Sequence, residues 1–201
     1  LFQQGRFADA LPEFRASLER VLPLRDEGLS ILEHDKRGMG TTTTVLILMP
    51  HRFLIGQVGD SRAYLLRDGY FLQVTKDHSY VQEQVDLGLL TPEQARVHPY
   101  SNVITRCIGA NAEVVPDLYF GHLHPGDVLL LAPDGLTGML EDEQLAQILQ
   151  GEGGPQQWVD KLINEANRRG GLDNITAIIV RIEPDPTPEV TNPLGTPAAR
   201  R

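Results

Sequence analysis

The chain has 201 residues, 41% hydrophobic and 22% charged, with 18 Lys and Arg against 27 Asp and Glu and a formal net charge of -9. That size supports one substantial core, and the acidity excludes the basic patch that nucleic acid or an acidic membrane surface requires. A single cysteine, Cys107, excludes an internal disulfide and a cysteine zinc cage. It fits a reducing, cytoplasmic compartment.

No apolar run is long enough to insert in a bilayer, and a monomer is expected. Leu1 stands where a start methionine would, so the sequence is expected to begin inside a longer product. From Phe7 to Leu22 the apolar residues Phe7, Ala10, Leu11, Phe14, Leu18, Val21 and Leu22 recur at helical spacing. Gly5-Arg6-Phe7-Ala8-Asp9-Ala10, with Phe14 and Leu18, resembles the second helix of a tetratricopeptide repeat. A half-repeat buries no face alone, and a core-facing helix explains the spacing equally well. Arg25 to Arg37 is charged and closes with a short helix before Gly38.

A β-meander follows. Thr43 to Met49 and Arg52 to Val58 are β-branched and apolar, joined at Pro50-His51. Arg62 to Arg67 and Tyr70 to Val74 are joined by Asp68-Gly69, a strong hairpin signal because a type I′ turn needs positive φ at both central residues. A helix is expected from Tyr80 to Leu87, ended by Gly88. Another opens with Thr91 as cap, Pro92 at its first position and Glu93 at the positive end of its dipole, and stops at His98-Pro99. Asn102 to Ile108 and Asp117 to Phe120 read as extended, Pro125-Gly126-Asp127 as a turn, and Val128 to Ala132 as a fully buried strand. Helices are expected over Glu141 to Gln150 and Pro155 to Arg169, the second capped by Gly170-Gly171, then a last strand over Ile175 to Ile182. From Pro184 the chain is rich in Pro and Thr without periodicity, a disordered tail or linker.

Three acids stand out against this pattern. Asp60 lies between two apolar strands, Asp134 follows a buried strand, and Asp173 precedes one. A carboxylate at such a place is costly unless hydrogen-bonded, paired or bound to a cation. Each is also ordinary turn chemistry beside Gly or Asn. Carboxylates delivered by rigid strand ends suit hard divalent cations. Cys107 lacks an arginine where a thiolate phosphate loop would close, and Gly38-Met39-Gly40-Thr41 lacks the lysine of a phosphate-binding loop. His122 and His124 read as a solvated pair.

Gly38-Met39-Gly40-Thr41-Thr42, Val58-Gly59-Asp60-Ser61-Arg62, Asp77-His78-Ser79, His98-Pro99, Asn102 through Arg106, Pro125-Gly126-Asp127, Asp134-Gly135-Leu136 and Gly170-Gly171-Leu172-Asp173-Asn174 occur in order. Together they resemble the bacterial metal-dependent serine/threonine protein phosphatases, the PPM or type 2C family, over Gly38 to Ile182. The resemblance implies an α+β fold with two packed antiparallel sheets flanked by helices. It implies a phosphatase domain at 38–183, after an atypical helical segment at 1–37 and before a Pro-rich tail at 184–201. Asp134 and Asp173 match ligands of a dinuclear Mn2+ or Mg2+ centre, and Asp60 matches a ligand of a weaker third metal. His98 and Arg106 fall in the flap beside the active site. The implied nucleophile is a metal-bound water, so no side chain attacks. The implied partner is a phosphorylated protein, with a Ser/Thr kinase in opposition.

The chain also departs from the family pattern. No Asp-Gly-x-Gly-Gly segment with its metal-bridging aspartate lies upstream of Gly38, and Pro133 stands where members have serine. Gly138 stands where many have another third-metal ligand. The alternative reading is therefore a catalytically inactive pseudophosphatase of the same fold, serving as a binding or regulatory module.

Overall fold

The computed structural model describes residues 3–4, 39–111 and 113–184. The helix expected over Phe7 to Leu22, the charged stretch to Arg37 and the tail beyond Pro184 lie outside these residues. The meander forms as its sequence pattern requires: β2 is Thr43–Met49, β3 Arg52–Val58, β4 Arg62–Arg67 and β5 Tyr70–Gln73, after a two-residue β1 at Gln3–Gln4. Asp68 and Gly69 both have positive φ, 51° and 81°, as a type I′ turn demands. Helices α1, Tyr80–Asp86, and α2, Pro92–Arg96, come next. Ser79 caps α1 by accepting the Gln82 amide. Thr91 and Gln94 cap α2 reciprocally: the Thr91 hydroxyl accepts the Gln94 N–H, and the Gln94 side-chain oxygen accepts the Thr91 N–H. The remaining elements are β6, Asp117–His122; β7, Val128–Ala132; α3, Asp134–Thr137; α4, Asp142–Gln150; α5, Pro155–Arg168; and β8, Ile178–Arg181.

These strands make two four-stranded antiparallel sheets, in the order β1-β6-β3-β2 and β5-β4-β7-β8. Side-chain alternation along each strand divides the core in two. Phe53, Ile55, Ala63, Leu65, Tyr119 and Leu129 fill the space between the sheets. Tyr64, Leu66, Val128, Leu130 and Ala132 face the other way, against Leu145, Leu149, Trp158 and Leu162 of α4 and α5. Both faces of β4 and β7 are thus covered, which is why Val128–Ala132 is an unbroken apolar run. At one end of this sheet Arg67 grips the buried Asp127 with two hydrogen bonds of 2.8 and 2.7 Å and donates to the His122 carbonyl. The fork-shaped guanidinium satisfies both carboxylate oxygens, so a charge can sit 1% exposed.

Several boundaries differ from the sequence reading. β5 stops at Gln73, although Val74 still donates to Ala63 at 2.8 Å. β8 begins at Ile178 instead of Ile175, because Ile178 is already opposite Leu131, one residue from the end of β7. β6 runs on to His122, since β3 offers Arg52 as a partner there. Residues 102–108 form no strand; they touch the body through single bridges, Ser79 with Ile104 and Thr41 with Ile108. The short α3 was not expected after Pro133. It forms because the Pro133 carbonyl accepts both Leu136 and Thr137 amides.

Leu130 is fully buried at the centre of the second sheet. Replacing it by alanine is expected to lower stability by about 3 kcal/mol through lost burial and a residual cavity. Urea denaturation with an unchanged slope would check this.

Candidate metal centre

Arg62 of β4 is opposite Ala132 of β7, and Leu131 of β7 is opposite Ile178 of β8. Antiparallel pairing therefore gathers the entry of β4, the exit of β7 and the approach to β8 at one end of the sheet. Asp60, Asp134 and Asp173 stand at these three places. This is the end opposite the Arg67–Asp127 pair.

Two close approaches set the acids. Gly135 leaves no room for a side chain: a Cβ there would collide with the Asn174 carbonyl oxygen and sit 3.4 Å from the Cβ of Asp173. The loop bearing Asp173 is thereby held against the turn bearing Asp134. Gly59, with φ of 110°, is pressed against Thr42, whose side chain fills the place of a Cβ. Asp134 and Asp173 each turn one carboxylate oxygen back to the following amide, at 2.9 Å from Gly135 N and 2.6 Å from Asn174 N. No hydrogen bond within the described residues engages their other oxygens.

Asp60 is half-buried, while Asp134 and Asp173 are exposed. Burial first, and then the neighbouring Asp134 carboxylate, raise the pKa of Asp60 above its ordinary value. Arg62 follows Asp60 by two residues but is occupied elsewhere. Its guanidinium binds both oxygens of Asp77, at 2.8 to 3.0 Å, and touches the Tyr64 hydroxyl, which donates to Asp142. Burial pushes the Arg62 pKa down most strongly of any single cause, but the Asp77 hydrogen bonds and the interactions with Tyr64 and the Asp77 charge together more than offset it and raise the value. None of the three acids forms an ion pair with a described residue.

Oxygen donors of like charge, none of them ion-paired to a cationic side chain among the described residues, fit a hard divalent cation in kind. The set is incomplete in number. Among the described residues, no group of three or more His, Cys, Asp or Glu side chains is arranged to hold a metal ion. Two carboxylates and solvent are what Asp134 and Asp173 offer such an ion.

The two flap residues make other contacts. His98 packs with Tyr80 and Tyr100, at ring separations of 5.9 and 5.6 Å, and accepts the Tyr100 amide at Nδ1. Arg106 donates to Asp117 at 2.6 Å and to the Val115 carbonyl, so its charge is matched within the fold. Beside Arg106 opens a cleft of about 440 Å³ between Ile104, Cys107, Asn111, Glu113 and Asp117, lined by none of the three acids. Cys107 is half-buried, with its sulfur filling the space over Gly40. His122 and His124 are both exposed. The sequence reading did not single out Gln57, His78 or Asp117, which back the turn that carries Asp60. Gln57 was visible as a polar residue inside an apolar strand and His78 as part of the Asp77-His78-Ser79 motif; nothing local marked Asp117.

A family model described as protein phosphatase 2C matches residues 13–84. Protein phosphatase PhpP of Streptococcus pneumoniae is 38% identical over 174 residues, covering 86% of this chain and 71% of that protein. The chain belongs to the protein phosphatase 2C family. Its backbone superposes on the Mycobacterium tuberculosis serine/threonine phosphatase PstP/Ppp with a TM-score of 0.79 and 36% identity, over 88% of this chain and 74% of that one. The catalytic domain of PstP in complex with 2 manganese ions gives a TM-score of 0.74 at 35% identity, over 87% and 72% of the two chains. Two antiparallel sheets with flanking helices are thus the family architecture, as the sequence motifs implied. The family match begins upstream of Gly38, inside the segment read as atypical.

Burial raises the pKa of Asp117, but the Arg106 hydrogen bond, followed by His78 and the charges of both, more than offsets this and holds it below the ordinary carboxylate value. A group depressed in the folded state stabilises fully above its unfolded pKa of about 3.9 and loses that contribution as pH falls through the lower folded value. The stability gap between wild type and Asp117→Asn is therefore expected to be open at pH 6 and to close as pH falls through the depressed folded value. Paired urea midpoints across that range would measure it.

Proposed function

We propose that this chain is a metal-dependent phosphatase domain that hydrolyses phosphoserine and phosphothreonine in proteins. The observation that carries the reading is that Asp60, Asp134 and Asp173 stand at one sheet end, none of them ion-paired to a described residue. Membership of the protein phosphatase 2C family supports it, as do relatives named as serine/threonine phosphatases. The reading as a non-catalytic module gains no advantage from relatives so named.

In this proposal Asp134 and Asp173 hold Mn2+ or Mg2+, two ions in all, and Asp60 holds a weaker third. When bound, the cations supply Lewis-acid chemistry, acidifying water and offsetting the charge of a phosphoryl group. The chain's own residues orient and separate. The hydrogen bonds from Gly135 N and Asn174 N fix one oxygen of each carboxylate, which sets where the other points. The collision that any Cβ at Gly135 would meet keeps the two acids at a constant spacing. Commitment of Arg62 to Asp77 keeps a guanidinium from neutralising Asp60 in a cation's place. His98 and Arg106 belong to the flap over the substrate. A Ser/Thr kinase acting on the same protein is the opposing partner. The working state is a monomer in the cytoplasm, in keeping with the lone half-buried cysteine.

Manganese calorimetry on the 201-residue chain, followed by turnover of a small aryl phosphate, tests the reading. Asp134→Asn and Asp173→Asn each remove one ligand charge and are expected to weaken manganese binding and reduce turnover by more than about 100-fold with the fold retained. Wild-type turnover in either variant would refute the ligand assignment. A second prediction concerns Gly135→Ala, which drives Asn174 away from Asp134. Manganese affinity is expected to fall at least about tenfold although neither acid is changed.

A further inference from the structure

Behind the Gly59–Asp60 turn lies a buried polar cluster for which the metal centre, as described, has no use. Gln57 is fully buried and His78 is 7% exposed, and both converge on the two peptide groups that flank the Gly59 Cα. The Gly59 amide donates to His78 Nδ1 at 3.0 Å, while the Gly59 carbonyl accepts the His78 backbone amide at 2.9 Å and Gln57 Nε2 at 3.0 Å. One residue thus grips both poles of Gly59. On its other side the peptide meets Thr42, so it has no space in which to shift.

The histidine is itself held. Its Nε2 lies 3.1 Å from Asp117 Oδ2, off the line of a straight hydrogen bond, and Asp117 is pinned by Arg106 at 2.6 Å. Asp117 is also the cross-strand partner of Gln57, which places all three side chains in one cluster. The His78 carbonyl accepts the Thr105 amide at 2.8 Å, which joins the same residue to the segment bearing Arg106. Because Nδ1 accepts a hydrogen bond, the imidazole carries its proton at Nε2, toward Asp117.

We infer that His78, seated by Asp117, is a positioning residue whose ring fixes the Val58–Gly59 peptide plane, while Gln57 and the His78 backbone amide hold the Gly59 carbonyl, and that this sets the direction in which Asp60 leaves the turn. A histidine that merely filled space could be exchanged for any side chain of its volume. Here the exchange strips a buried amide of its acceptor, one residue before a carboxylate whose aim matters. What Asp60 binds rests on the proposed phosphatase reading; the grip on Gly59 does not.

The test compares the full chain, metal-free and 15N-labelled, as wild type, His78→Asn, His78→Ala and His78→Leu. Asparagine offers its side-chain oxygen near the place of Nδ1, whereas leucine fills the volume without an acceptor, so the comparison survives if alanine fails to fold. In the alanine or leucine variant, hydrogen exchange at the Gly59 amide is expected to rise at least about tenfold relative to Leu65, a reference for global opening. The residual dipolar coupling of the Asp60 N–H is expected to change as well, and asparagine is expected to restore both. Manganese affinity should fall about tenfold in step and recover with asparagine. Gly59 exchange that tracks Leu65 in every variant, an unchanged Asp60 coupling, or a defect that asparagine does not repair would overturn the inference. Expected changes at Gly59 and Asp60 in a chain that binds no manganese would uphold the positioning role and sink the metal reading.

Discussion

Mutual repulsion among carboxylates at the end of a tightly paired sheet is the constraint on which the rest of this molecule depends. Asp60 is half-buried next to Asp134, and the nearest arginine in sequence is locked to Asp77. A fold free to relax would swing these side chains apart into water. This one cannot, because β4, β7 and β8 are held by continuous ladders and by apolar contacts on both faces. The scaffold's stability is what keeps like charges together, a stressed arrangement of the kind that marks functional sites.

The two ends of the second sheet make the point by contrast. At one, Arg67 and Asp127 form a closed pair in which both carboxylate oxygens accept from the guanidinium. At the other, acids are presented without such a partner. Burial of charge is tolerated at the first because it is neutralised inside the chain. The second leaves its acids without a counter-charge among the described residues, as the proposed metal centre requires.

How much of this was readable from residues alone follows from what each feature depends on. β2, β3, β4 and β7 announce themselves by period and by turn chemistry, and the Asp68-Gly69 turn has the dihedrals its residues demand. The starts and stops that were misjudged, at β6, β8 and residues 102–108, are set by where a partner strand begins or ends. Local sequence holds no record of that register. The same division runs through the site. Asp60, Asp134 and Asp173 were conspicuous as charges at strand ends, but their convergence is a product of antiparallel pairing. Gly135 carries the spacing of two of them and looks, in sequence, like any turn glycine. His78 was visible only as part of a motif, and its role comes from Gly59, nineteen residues earlier.

The sheet order has a practical consequence for anyone concentrating this protein. β2 closes one sheet, and among the described residues it has a partner on one side only. Its seven residues, Thr-Thr-Val-Leu-Ile-Leu-Met, contain no charge and no proline, and Leu48 is 46% exposed. Edge strands are normally guarded by lysine, proline or a bulge, since their outward amides and carbonyls can template a foreign strand. Arg52 and Pro50, just past the end of β2, stand guard only at its turn. Where no further strand covers that side, self-association by strand addition is the failure to anticipate at high concentration, and a lysine at Leu48 is the natural gatekeeper to introduce.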